Sequence, residues 1–191
     1  MSFRSPTTDN RSPCIGILAL QGNVAEHRKA LEDLHMTVRE VRTPKDIEGV
    51  FALVIPGGES TVMMKLMQES GLDEAIVRRV PEGLPVLATC AGAIILSDTH
   101  LKLMDISVDR NAYGSQVDSF EAVLSVEGKD MKVTFIRAPK ITRTGYGVEV
   151  LARHDGNPVI VRQNSVIATT CHPEMRGETL LHAMLLENLN T

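Results

Sequence analysis

Apolar and polar positions alternate in blocks along the first hundred residues. Ile15–Leu20 is a short apolar run that stops at Gln21-Gly22, which predicts a buried strand. Asn23 then stands where a helix would be capped, with Glu26 at the capping-box position, and Val24, His27, Leu31 and Leu34 follow at helical spacing. Val38–Val41 and Ala52–Ile55 predict two more strands, the second stopped by Pro56-Gly57-Gly58. Thr61–Met67 and Leu72–Val80 carry helical patterns, Pro85–Thr89 predicts a fourth strand, and Ala91–Ser97 a helix after it. Strands alternating with helices imply parallel strands joined by helical crossovers, hence a layered α/β sheet.

The second half changes character. Ile106–Asp109, Phe120–Val126, Val133–Ile136, Gly147–Leu151, Val159–Arg162 and Val166–Cys171 are short strand candidates joined by turns, which suggests antiparallel pieces added to the sheet. A final amphipathic helix, Glu178–Leu189, carries Leu181, Leu185 and Leu189 on one stripe. Open α/β sheets bind ligands beyond the carboxyl ends of their strands. Three loops fall at such ends: Gln21-Gly22, Pro56–Thr61 and Thr89–Gly92.

Composition narrows the class. With 191 residues, 43% of them hydrophobic, the chain is long enough for one substantial core, and no linker divides it. The expected layout is one domain over residues 14–191 behind a flexible tail, residues 1–13, that lacks the apolar stretch of a secretory signal. A net charge of −4 argues against nucleic acid, and no apolar run approaches the roughly 20 residues of a membrane span. Three widely spaced cysteines fit a reducing, cytoplasmic compartment better than a disulfide framework. With 4 Phe, 2 Tyr and no Trp, an aromatic platform for bases or sugars is not expected.

Chemistry concentrates at three places. Cys90 follows an apolar run and precedes a helix, with Ala88 two residues before it and Gly92 two after. That is the form of a nucleophile elbow, where small neighbours permit a sharp turn and the helix start favours thiolate. The Ala91 N–H would then point toward a developing oxyanion. His172-Pro173-Glu174 follows a strand; in an extended chain positions i and i+2 share a face, so Glu174 could orient the His172 ring toward a nucleophile. Cys171 is a rival nucleophile, but its side chain should point away from its neighbour His172. In Pro56-Gly57-Gly58-Glu59-Ser60-Thr61 the two glycines let the backbone approach a ligand, and Ser60 could cap the next helix. Arg110 and Arg137 could each pair with a small carboxylate. No metal site is expected, since Cys171-His172 lacks the usual ligand spacing. His27, His35, His100 and His154 read as structural.

Taken together, these pieces resemble the class I, triad-type glutamine amidotransferases. Finer strings resemble one family among them, the glutaminase subunits of the ribose-phosphate-dependent pyridoxal 5′-phosphate synthases. They are Leu20-Gln21-Gly22, Pro56–Thr61, Thr89-Cys90-Ala91-Gly92, Arg110-Asn111-Ala112-Tyr113-Gly114, Asp118-Ser119-Phe120-Glu121, Phe135-Ile136-Arg137-Ala138-Pro139 and His172-Pro173-Glu174, in order from about residue 15 onward. The resemblance implies a flavodoxin-like α/β/α sandwich with a mostly parallel central sheet and added antiparallel strands. It implies that Cys90 attacks the side-chain amide of L-glutamine, that His172 carries protons and that Glu174 orients it. Gly57, Gly58 and Ala91 would form the oxyanion hole. Gly58, Glu59, Ser60, Arg110, Ile136 and Arg137 would hold glutamine. No cofactor is implied, since pyridoxal 5′-phosphate is the pathway product. Ammonia would pass to a separate barrel-fold synthase subunit in a large hetero-oligomer, with Gln21 and Gly22 near the interface. A Gly57-Gly58 peptide that turns only in the complex would gate the reaction. Departures are the short Ser97–Arg110 segment, Ser115 in place of a basic residue, Cys171 in place of an aromatic, and Ala93 in place of Leu; none removes a triad member. Competing readings are a glutaminase serving another pathway, a γ-glutamyl hydrolase, and a non-catalytic assembly module.

Overall fold

The computed structural model describes residues 14–110 and 119–189. The expected tail at residues 1–13, the Asn111–Gly114 string, Ser115 and Asp118 lie outside the described residues. In chain order the elements are β1 (Cys14–Leu18), α1 (Val24–Asp33), β2 (Thr37–Val41), β3 (Ala52–Ile55), α2 (Ser60–Ser70), α3 (Leu72–Arg79), β4 (Val86–Thr89) and α4 (Ala91–Leu96). There follow β5 (Ile106–Asp109), β6 (Phe120–Val126), β7 (Lys129–Phe135), β8 (Lys140–Thr144), β9 (Glu149–His154), β10 (Asn157–Gln163), β11 (Val166–Thr169) and α5 (Leu180–Glu187).

Seven strands form one sheet in the order β2-β1-β3-β4-β11-β10-β9. The first five are parallel to one another, and β10 and β9 extend the sheet antiparallel. Strand composition explains the burial: β3, β4 and β11 are fully buried runs, as strands covered on both faces must be. Alternation along them divides the core. Leu53, Ile55, Val86 and Ala88 face α2, α3 and α4 with Met63, Met67, Leu72 and Ile95. Ala52, Val54 and Leu87 face α1, α5 and the β6–β7 hairpin with Leu31, Leu181, Met184 and Phe135. Helices on both faces of the sheet make three layers. Each fully buried Leu or Ile contributes on the order of 2 kcal/mol by leaving water.

The second half corrects two expectations. β11 is not an antiparallel addition; it pairs parallel with β4 and completes the parallel set. The pairs β5–β8 and β6–β7 do not join the main sheet but form two separate two-stranded sheets. β8, Lys-Ile-Thr-Arg-Thr, lacked an apolar run and was not expected as a strand; it earns its place by pairing with β5.

The strand order reverses between β1 and β3, and the loops after β1, β3, β4 and β11 leave the same carboxyl edge of the sheet. A crevice is expected at such a reversal.

Candidate active site

Cys90 sits at φ 47°, ψ −103°, between β4 and α4. A non-glycine residue in this region stores about 1–3 kcal/mol and persists only where its surroundings impose it. Here the Cys90 N–H donates to Thr169 O on β11 at 2.8 Å, which ties the turn to the neighbouring strand. As the first residue of α4, Ala91 has a backbone N–H without a partner inside the helix.

His172 lies just past β11. Two backbone hydrogen bonds with Thr134 of β7 fix it, His172 N to Thr134 O at 2.8 Å and Thr134 N to His172 O at 3.3 Å. Its Nδ1 is 2.7 Å from Glu174 Oε1. The expected partnership is present, but its backbone is not the extended one. Pro173 is in the right-handed helical region, and Glu174 opens a 3₁₀ turn, Glu174–Arg176. The carboxylate therefore curls back to the ring instead of sharing a strand face with it.

Burial works to lower the His172 pKa, yet hydrogen bonds to the Cys90 thiol and to Glu174, reinforced by their charge, push it up to about 10. Burial likewise opposes the charged form of Glu174. The hydrogen bond from His172 and the proximity of His27 and His172 outweigh that and hold the carboxyl below its usual range. Cys171 differs in kind. It is fully buried, and loss of solvent pushes its thiol up to about 12, although a hydrogen bond with Thr169 opposes the rise. The neighbouring cysteine is thus a buried core thiol, and it lies past the end of β11 instead of on a strand face.

A cavity of about 400 Å³ opens over Cys90 and His172. Gln21, Gly58, Glu59 and Ser60 line it, as do Ala91, Ile94, Arg110, Ile136 and Arg137. Glu174 and Gly57 lie behind its wall. A Cβ on Gly57 would collide with the His172 ring, so glycine alone lets that backbone lie against the imidazole. The Gly57 carbonyl accepts from Asn23 N–H at 3.2 Å, and Gln21 Oε1 accepts from Glu59 N–H at 2.8 Å. Gln21-Gly22 and Gly57-Gly58 thus pack against each other, and Gly22, at φ +105°, could carry no side chain without striking the Gly57 carbonyl.

At the cavity mouth Arg110 donates to Thr61 Oγ1 at 2.8 Å and to Glu59 Oε1 at 3.0 Å. Two capping expectations change. Glu59, not Ser60, caps α2, accepting from Thr61 N–H and Val62 N–H; these bonds hold its carboxyl below the usual range despite some burial. Asn23 makes no side-chain cap to α1, and its Nδ2 lies 3.4 Å from Glu174 Oε1 and 3.2 Å from His172 Nδ1.

Sequence reasoning missed the residues behind the triad. His27 was read as structural and His182 was not singled out, yet both are fully buried, with His27 Nδ1 2.8 Å from His182 Nε2. The signal was a histidine on the apolar stripe of α1, between Val24 and Leu31, where burial demands a polar partner.

A strained cysteine, an imidazole and a buried carboxylate meet at the carboxyl edge of a parallel sheet, an arrangement with the parts a cysteine-nucleophile hydrolase needs. Comparison with known proteins is more specific. Residues 17–191 match the SNO glutamine amidotransferase family, and the chain belongs to it. Curated relatives include the pyridoxal 5′-phosphate synthase subunit PdxT of Thermotoga petrophila, 45% identical over 91% of this chain and 97% of the relative. The PdxT of Thermus thermophilus is 49% identical over 91% of this chain and 96% of the relative. A crystal structure described as a glutamine amidotransferase superposes with TM-score 0.88 at 44% identity, covering 93% of this chain and 99% of that one. A chain of the PurLQS structure from Thermotoga maritima shares the fold alone, at TM-score 0.71 and 15% identity. The α/β/α sandwich implied by the sequence strings is the fold observed. No helix of the described residues is long and apolar enough to cross a membrane.

Proposed function

We propose that this chain is the glutaminase subunit of a pyridoxal 5′-phosphate synthase, with Cys90, His172 and Glu174 as its catalytic triad. Glutamine enters the cavity with its side-chain amide over Cys90. The sulfur attacks the amide carbon while the proton is held on His172. The oxyanion is met by backbone N–H groups of Ala91 and of the Gly57-Gly58 loop. His172 gives its proton to the leaving nitrogen, ammonia departs, and a glutamyl thioester remains. The same ring then takes a proton from water as the water attacks the thioester, releasing glutamate. Glu174 keeps the ring oriented and stabilises its positive form throughout.

Substrate selection follows from the wall. Arg137 and Arg110 are cations matched to the α-carboxylate of glutamine, and Glu59 is an anion matched to its α-ammonium group. Gly58, Ser60 and Ile136 shape the space between them. The reaction as written draws on no metal and no cofactor. Ammonia is delivered to a barrel-fold synthase subunit within a large hetero-oligomer, with Gln21 and Gly22 at the contact, in a cytoplasmic setting.

The single observation that carries this reading is the His172 ring held 2.7 Å from Glu174 and lining one polar cavity with Cys90, in a chain of this family. The test is glutamate release by the purified chain with its synthase partner. Release that disappears in Cys90→Ala supports the proposal; release that survives the substitution overturns it.

A further inference from the structure

Glu174 is poorly served for a buried carboxylate. Oε1 meets His172 Nδ1 at 2.7 Å and Asn23 Nδ2 at 3.4 Å, while Oε2 has no hydrogen-bond partner among the described residues. Behind it stands a second pair of rings that the hydrolytic chemistry does not use. His27 on α1 places Nε2 3.1 Å from Thr89 Oγ1 and 3.6 Å from Glu174 Oε1. Its Nδ1 lies 2.8 Å from Nε2 of His182 on α5. Both side chains are at 0% exposure, so neither ring meets water.

The hydrogen-bond roles in this pair have two self-consistent arrangements. In one, His182 Nε2–H donates to His27 Nδ1, and the His27 Nε2–H faces Thr89 Oγ1 and the carboxylate. Within the two rings, the atom left unmet is then His182 Nδ1, a lone pair. In the other, His27 Nδ1–H donates to His182 Nε2. That turns a His27 lone pair toward Glu174 and leaves a buried N–H on His182 Nδ1 with no acceptor. The second arrangement carries both a repulsion and an orphaned donor, and the first carries neither.

We propose that His27 and His182 are positioning residues of the glutaminase: a neutral pair whose hydrogen bonds run from His182 to His27 and present the His27 Nε2–H to Glu174. The inference rests on the triad reading above and extends it by one step behind the carboxylate. His182 fixes which His27 nitrogen carries the proton. His27 then supplies the positive edge that helps keep Glu174 ionised against burial, and an ionised Glu174 stabilises the protonated His172. No proton travels through the pair. Neutrality of both rings is consistent with their surroundings. Burial lowers the pKa of His27, with His172 adding to the fall and Glu174 and Glu26 opposing it. Burial also lowers that of His182, to about 3, with His27 adding and Glu174 opposing. Among the described residues, Cys171 also lies close to Glu174, and Glu59, Arg110 and Arg137 face Cys90 and His172 across the cavity.

Near-isosteric substitutions separate positioning from packing. The amide nitrogen of a glutamine reproduces Nε2 of histidine, and that of an asparagine reproduces Nδ1. In the complex with the synthase partner, His27→Asn should lower kcat by about tenfold to a hundredfold, the range for residues that orient a catalytic group, with KM little changed. The acid limb of its kcat/KM profile should move up by roughly half a unit, because a carboxylate deprived of a donor is easier to protonate. His27→Gln should recover most of kcat and return the limb toward its original place. Equal losses in Asn and Gln, or full activity with an unshifted limb in Asn, would overturn the proposal. An inactive wild-type complex would instead count against the triad reading. A measurement on the unsubstituted chain is independent of both. Nitrogen-15 spectra of the histidine rings at pH 7 should show His182 and His27 neutral and protonated at Nε2; a proton on His27 Nδ1 would contradict the inference outright.

Discussion

At the floor of the cavity Cys90, His172 and Glu174 are 7%, 4% and 4% exposed, whereas at the rim the side chains of Arg110 and Glu59 are 48% and 45% exposed. Both regions hold opposite charges at hydrogen-bond distance, 2.7 Å between His172 and Glu174 and 3.0 Å between Arg110 and Glu59. What differs is what surrounds them. The floor is carried on β4 and β11, strands buried on both faces, and its charges have little water to fall back on. Removing one partner there leaves another stranded. The rim is screened by solvent, so its pair contributes little to stability and can exchange partners when a zwitterionic substrate enters. In the proposed reading, chemistry is thus placed where geometry is rigid, and recognition where side chains can rearrange.

Substitutions can break this contrast in graded fashion. Cys90→Ala should lower glutaminase turnover by about a thousandfold or more, as loss of a nucleophile does, without changing glutamine affinity measured by calorimetry. Glu174→Gln keeps the shape but not the charge, and turnover assays should show a loss on the order of a hundredfold to a thousandfold, in kcat and not in KM. At the rim the split should reverse. Arg137→Ala should raise KM for glutamine by roughly tenfold to a hundredfold, the loss expected for one charge-assisted contact, and leave kcat within a few fold.

Stability should show the same division. Unfolded His182 titrates near its ordinary value of 6.5, while the folded residue stays neutral down to about 3. Its contribution is complete above pH 6.5 and drains away as pH falls toward 3. Glu174, held below its ordinary value of 4.5, is lost in the same direction. His172 is raised, so its contribution is complete below 6.5 and lost as pH rises toward 10; Cys171 adds to that loss above 9. Calorimetric unfolding from pH 4 to 10 should therefore show the melting temperature falling on both sides of neutrality, and His182→Leu should flatten the acid side alone. The smallest effect belongs to the rim: Glu59→Gln should shift unfolding by less than about 1 kcal/mol apart from its cap on α2.

The parallel half of the fold was legible because its central strands are short, largely apolar runs separated by helical patterns, most plainly Ala52–Ile55 before Pro56-Gly57. Cys90 was legible for the same reason, since a strand, a small-residue turn and a helix leave a local trace. The placement of β11 beside β4 was not, because strand order is settled by long-range packing, which a short run such as Val166–Thr169 does not encode. Nor was β8, whose alternation is masked because four of its five residues are polar. The Asn23 cap was misread, and the neighbours of His27 were illegible, for a common cause. Each has an ordinary local role available, a helix face and a cap, and only the fold brings Glu174 from a distant turn to within reach of both.

The account turns on which sulfur does the chemistry. The direct measurement is mass-spectrometric mapping of the adduct formed when the chain, in complex with its synthase partner, is treated with a glutamine analogue bearing an electrophilic ketone. A single adduct on Cys90, blocked by excess glutamine and accompanied by loss of glutamate release, is the expected result. Modification of Cys171 or Cys14 in step with inactivation, with Cys90 untouched, would contradict it.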